Sequence, residues 1–264
     1  MGMESRDYGY RVRFGGLGGN MITPAIKTLL ITMTAVFIGQ TIVGLEFGRE
    51  GAIWIYQNLG LVPGSAVFLG YIWQPFTYIF LHGGLWHLLI NMLVLWMFGC
   101  DLERNWGQRR FYTYFFTCGV GAGLIVIAAN LLPMLWGRTP SGIPTIGASG
   151  AIYGVLVACA VLFPDRQIWL IPFPVTLSMR VYVSIMVAIE FFSELSSGTG
   201  DSVSHICHLG GIVIGYIYLR RGSFFFNMRN GVSDWKQRRL RRKFKVYMQQ
   251  RGGDPPSRPD RWVN

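Results

Sequence analysis

His205-Ile206-Cys207-His208-Leu209-Gly210-Gly211-Ile212-Val213-Ile214-Gly215 is an apolar run that carries two ionisable rings. Inside a segment long enough to cross a bilayer, such a side chain is costly unless paired or wetted, so by default it marks a functional site. His208, Gly211 and Gly215 fall at i, i+3 and i+7, on one stripe of a helix. Two glycines below a histidine let another backbone come close. A partner stripe lies upstream in Gly147-Ala148-Ser149-Gly150, with Gly154 four residues after Gly150. Gly-x-x-x-Gly is itself a close-packing pattern of membrane helices, and alone it is explained by packing. Facing the two glycine stripes would bring Ser149 within hydrogen-bond reach of an imidazole, which a serine nucleophile needs from its base.

The loop before Ser149 holds Pro140, Gly142, Pro144 and Gly147, a poor start for a helix that must meet lipid from its first residue. It makes sense if Ser149 opens a helix recessed in a watered cavity, where irregular backbone is tolerated. Free amides at that helix start could hold a developing oxyanion. The string does not match the Gly-x-Ser-x-Gly elbow of soluble hydrolases. A third run, His82-Gly83-Gly84-Leu85-Trp86-His87-Leu88-Leu89-Ile90-Asn91, puts His87 and Asn91 at i and i+4 on one face, both able to donate hydrogen bonds. Interhelical hydrogen bonding for Asn91 and a helix-start cap for His82 are the plainer readings.

The wider composition suits a membrane protein: 51% hydrophobic, 15% aromatic and only 14% charged. Six apolar stretches, roughly 25–45, 82–100, 111–132, 149–163, 177–193 and 203–219, approach the ~17–25 residues a spanning helix needs. The fourth ends at Pro164-Asp165-Arg166 and the fifth contains Glu190, which makes these two the weakest spans. A hydrophobic soluble helical bundle is the alternative. With six spans, all but Arg49 and Arg138 of the 24 basic residues fall on one side. Lys and Arg accumulate in cytoplasmic loops, so both termini are expected in the cytoplasm, and the loops 46–81, 133–148 and 194–202 outside. The same partition accounts for most of the net charge of +11, and no nucleic acid need be invoked.

The expected organisation is a tail over 1–23, one six-helix unit over 24–220 and a basic tail over 221–264. The first 20 residues are polar and Gly-rich, unlike a cleavable signal peptide. Loop 46–81 carries Trp54, Tyr56, Phe68, Tyr71 and Trp73 among Gly and Pro breakers, so it is expected to lie partly in the interface. Trp235, Leu240, Phe244 and Tyr247 form an apolar stripe among cations, as in helices that bind anionic lipid; a solvated tail that merely fixes topology is the alternative. Cys100, Cys118, Cys159 and Cys207 have neither zinc nor disulfide spacing. No carboxylate or thiolate set accompanies the histidines at ligand spacing, so no metal and no cofactor is expected.

Over most of residues 71–219 the chain resembles the rhomboid family of intramembrane serine proteases. The family's His-x4-His-x3-Asn appears as His82, His87 and Asn91; its Gly-x-Ser-Gly as Gly147, Ser149 and Gly150; its His-x2-Gly-x3-Gly as His208, Gly211 and Gly215. Gly99, Glu103, Gly107 and Arg109 look like its stretch after the second span, and Tyr153 stands where the family sets an aromatic ring against the catalytic imidazole. The resemblance implies an all-α six-span helix bundle, an endopeptidase acting on transmembrane segments of membrane-protein substrates, and a bacterial inner membrane. It implies Ser149 as nucleophile and His208 as base, a dyad without an acidic third member. His87, Asn91 and the Ser149 amide would form the oxyanion hole, with His82 lining the cavity. Trp73-Gln74 departs from the Trp-Arg of many members, and His205 is an extra histidine without an assigned role. The rivals are a catalytically silent relative that binds membrane clients, and a histidine-rich metal or haem protein.

Overall fold

The computed structural model describes residues 22–137, 139, 142–169, 175–196 and 205–220. The readings placed on the N-terminal tail and on the stripe at Trp235 to Tyr247 fall outside these residues. Two compact units are distinguished, Met1–Tyr216 and Ile217–Asn264, and the fold and site below belong to the first.

Helix α1, Pro24–Leu59, begins with proline in its first turn, where the missing N–H costs nothing. Thr23 makes no cap bond to the turn; the cap is Glu103, 4% exposed, which accepts from the amides of Ala25 at 2.8 Å and Ile26 at 3.1 Å and from the Thr23 hydroxyl. The helical stretch is broken at Gly48, whose φ of 62° only glycine adopts readily and whose backbone is not helical, and a second helical segment runs on from the kink to Leu59. The stretch 49–59 is therefore helical, contrary to its reading as loop: Gly48 ends one helical segment and starts the next in a new direction. Short helices α2, Pro63–Phe68, and α3, Gln74–Thr77, follow, then a 3-10 turn over Tyr78–Phe80.

Helix α4, Leu85–Val94, passes through a π-helical turn, Leu95–Gly99, into α5, Cys100–Trp106. Gly107, at φ 78°, separates α5 from α6, Gln108–Leu131. Helix α7, Ser149–Leu162, is buried at every position from Gly150 to Cys159, and a helix apolar all round belongs at the centre of a bundle. It packs chiefly on α6. A small antiparallel hairpin, β1 at Gln167–Trp169 and β2 at Thr176–Ser178, is an element the periodicity did not show. Helix α8, Met179–Ser196, and α9, over 205–220, complete the described residues.

Three helical stretches, Pro24–Leu59, Leu85–Trp106 and Gln108–Leu131, are long and apolar enough to cross a membrane. Large apolar side chains such as Ile38, Leu45, Leu93 and Phe192 lie exposed along the helices, as lipid contact requires. With 14 residues, α7 rises only ~21 Å, short of the ~30 Å hydrocarbon core. The fold is thus an all-α, polytopic membrane bundle.

Candidate active site

Two backbone ties hold the segment that leads into Ser149. Leu61 and Thr145 exchange amide hydrogen bonds of 2.9 Å, and the Gly147 amide donates to Tyr78 O at 2.9 Å. Gly147 has φ 120°, and a Cβ there would meet His87 Cε1 at 2.8 Å and Nε2 at 2.9 Å. Glycine thus serves twice, for the turn and for the ring beside it. Ser149 then opens α7, leaving its first-turn amides without intrahelical partners.

On the other side, α9 lies backbone to backbone against α7. A Cβ on Gly211 would stand 1.8 Å from Gly150 O, and one on Gly215 would stand 3.0 Å from Gly154 Cα. The glycine stripes do face each other. Their contact sets His208 Nε2 2.7 Å from Ser149 Oγ, both groups partly exposed. The Tyr153 ring stacks on His208 with centroids 4.6 Å apart.

His87 is oriented by its own helix start: the Gly83 amide donates to Nδ1 at 3.3 Å. A nitrogen that accepts carries no proton, so in the neutral ring Nε2 is the donor, on the side that faces Gly147. Asn91, 5% exposed, spends one amide hydrogen on His87 O at 2.8 Å and keeps a second. His82 is wholly buried and not a lining residue of an open cavity. Its Nδ1 sits 3.2 Å from Phe80 O, and its backbone amide donates to Gln40 Oε1 at 3.2 Å. These contacts do not cap α4, which starts at Leu85 with Gly84 at its N-cap position and no side-chain cap bond, so the helix-start cap read for His82 from sequence is not made.

Glu190 is the residue that sequence reading passed over. It is 7% exposed on α8, and its Oε2 lies 2.9 Å from His208 Nδ1 and 2.7 Å from His205 Nδ1. Its Oε1 accepts from the Tyr153 hydroxyl. The expectation of a dyad with no acid beside it therefore does not hold geometrically, and His205 acquires a partner. The signal was present: an acid within an apolar run marks a site by the same rule as a histidine. It was read only as a blemish in the fifth span.

The donor atoms of Glu190, His205 and His208 lie within 4.8 Å of one another, a possible set for a cation. Spacing could not reveal it, because the ligands come from α8 and α9. Tetrahedral zinc with bonds of ~2.0 Å would hold its ligands about 3.3 Å apart. The observed 2.7 and 2.9 Å are the separations of hydrogen-bonded or ion-paired groups.

Fold and site together define a polytopic membrane protein in which a serine and an imidazole meet at the first turns of two close-packed helices. The Rhomboid domain family model matches residues 69–222, and the chain belongs to the rhomboid family. Among similar proteins, Rhomboid protein 1, mitochondrial, of Saccharomyces cerevisiae is 32% identical over 53% of this chain and 38% of its own. RHOMBOID-like protein 1 of Arabidopsis thaliana is 31% identical over 67% and 42%. Rhomboid protease GluP of Bacillus subtilis is 30% identical over 60% and 27%. The chain thus spans less than half the length of these relatives.

Proposed function

We propose that the chain is an intramembrane serine endopeptidase with Ser149 as nucleophile and His208 as general base. The observation that carries this reading is the 2.7 Å contact between His208 Nε2 and Ser149 Oγ. Ser149 Oγ attacks a substrate carbonyl carbon while its proton passes to Nε2. The resulting oxyanion is met by the Ser149 amide, His87 Nε2–H and the spare amide hydrogen of Asn91. As the C–N bond breaks, Nε2 returns the proton to the leaving amine. Water then attacks the acyl-enzyme, giving one proton to Nε2, and Ser149 is released when that proton returns to Oγ.

The substrate is a membrane-protein segment whose helix unwinds at the scissile bond, since a hydrogen-bonded helix hides its carbonyls. Small or helix-breaking residues there favour cleavage. The partition of basic residues supports a reading with both termini on the cytoplasmic face and Ser149 near the outer boundary. The compact bundle suits a bacterial inner membrane, and anionic lipid is the proposed contact of the basic tail. The site chemistry asks for no metal and no cofactor.

The test is cleavage of a single-span substrate in proteoliposomes, comparing the parent with Ser149→Ala and His208→Ala. Each substitution should lower the rate at least ~10³-fold. Cleavage surviving Ser149→Ala defeats the mechanism. A parent that retains the substrate uncut is instead a client-binding member.

A further inference from the structure

We propose that Glu190 is a positioning residue that extends Ser149 and His208 to a triad, held in place by His205 and Tyr153. The inference rests on the serine-protease reading above. An isolated carboxylate in a bundle interior is very costly, so its surroundings show what it is kept for. Tyr153 occupies Oε1, and Oε2 is shared by the Nδ1 atoms of His205 and His208 at 2.7 and 2.9 Å. His208 Nδ1 has no well-aligned hydrogen-bond partner among the described residues, so Oε2 lies within reach but off the N–H axis. Contacts of this kind commonly tighten only when substrate is bound.

A base must present a bare Nε2 to the serine. A carboxylate on the Nδ1 side selects that tautomer, because only Nδ1–H can donate to it. When Nε2 takes the serine proton, the imidazolium forms beside an anion already in place. Tyr153 acts at both ends, its ring on the imidazole and its hydroxyl on the acid. His205, one turn before His208, holds the same carboxylate oxygen through its own Nδ1. In this role the acid takes up no proton: the one taken from the serine stays on the imidazole until it passes to the leaving amine.

Glu190→Gln tests this in proteoliposomes, with Ser149→Ala alongside. The amide can turn its NH2 towards Nδ1 and favour the opposite tautomer. A fall in kcat of about 10- to 100-fold is expected, with KM within about twofold. Labelling of Ser149 by a fluorophosphonate should slow in parallel. Glu190→Asp should recover part of both. Parental kcat and labelling in folded Glu190→Gln would overturn the inference, as would loss of kcat with labelling unchanged. If Glu190→Gln does not fold, 15N-histidine NMR of the parent decides, with His208 assigned by its absence in His208→Ala. A neutral ring protonated on Nδ1 is expected, and a proton resident on Nε2 would overturn the inference. The two readings fail separately: cleavage by Ser149→Ala removes the nucleophile, whereas inert Ser149→Ala beside unimpaired Glu190→Gln removes only the triad.

Discussion

Single atoms decide what Gly147 and Gln74 can be exchanged for. At Gly147 a methyl group would enter the His87 ring and impose a positive φ on an L-residue, a strain of about 1–3 kcal/mol before the clash is counted. Gly147→Ala should therefore cut fluorophosphonate labelling of Ser149 at least ~100-fold, more than its effect on thermal stability in detergent would explain. Gln74, the position read from sequence as a departure from the Trp-Arg of the resemblance, is fully buried with its amide group divided between two jobs. Oε1 accepts from the Val62 amide at 3.0 Å, and Nε2 donates to Gln57 O at 2.8 Å. The glutamine ties the end of α1 to the chain before α2. Gln74→Ala should lower stability by about 1–3 kcal/mol through stranded backbone groups, with kcat unchanged. A melt beside a cleavage assay separates the two.

Helix faces carried most of what sequence could tell. The meeting of Ser149 with His208 was legible because glycines at i, i+3 and i+7 leave one geometry for close approach, and a Cβ 1.8 Å from Gly150 O leaves no room for another residue at 211. Gly211→Ala must move backbone, so it should cost about 3 kcal/mol or more, the upper end of overpacking effects, and should lengthen the serine–imidazole contact. Unfolding in mixed micelles, read with the labelling rate, checks both. Glu190 was not legible in the same way, since its partners sit on two other helices and no periodicity links α8 to α7 or α9. Nor was the helix over 49–59: its glycine and charged residues look like a loop, and only the φ of Gly48 turns the interruption into a bend. Asn91 and His87 were found by spacing, but the tautomer of His87 needed the Gly83 amide to define it.

At the scale of the whole molecule, charge and burial act in different places. The apolar exterior meets lipid, while the carboxylates of Glu103 and Glu190 pair inside the bundle. The proposed topology rests on charge alone, and it is open to a direct check. The four native cysteines are buried. An introduced Ser5→Cys should therefore resist a membrane-impermeant maleimide in intact cells, while Gly142→Cys reacts; the reverse pattern would invert the bundle. Glu103 supplies the other long-range constraint. Its carboxylate caps α1 across 78 residues of sequence, so Glu103→Ala should cost about 2–3 kcal/mol, as loss of a charged cap bonded to several donors does. The same contact makes the start of α1 and the middle of α5 a single fastening, so neither can loosen without releasing the other.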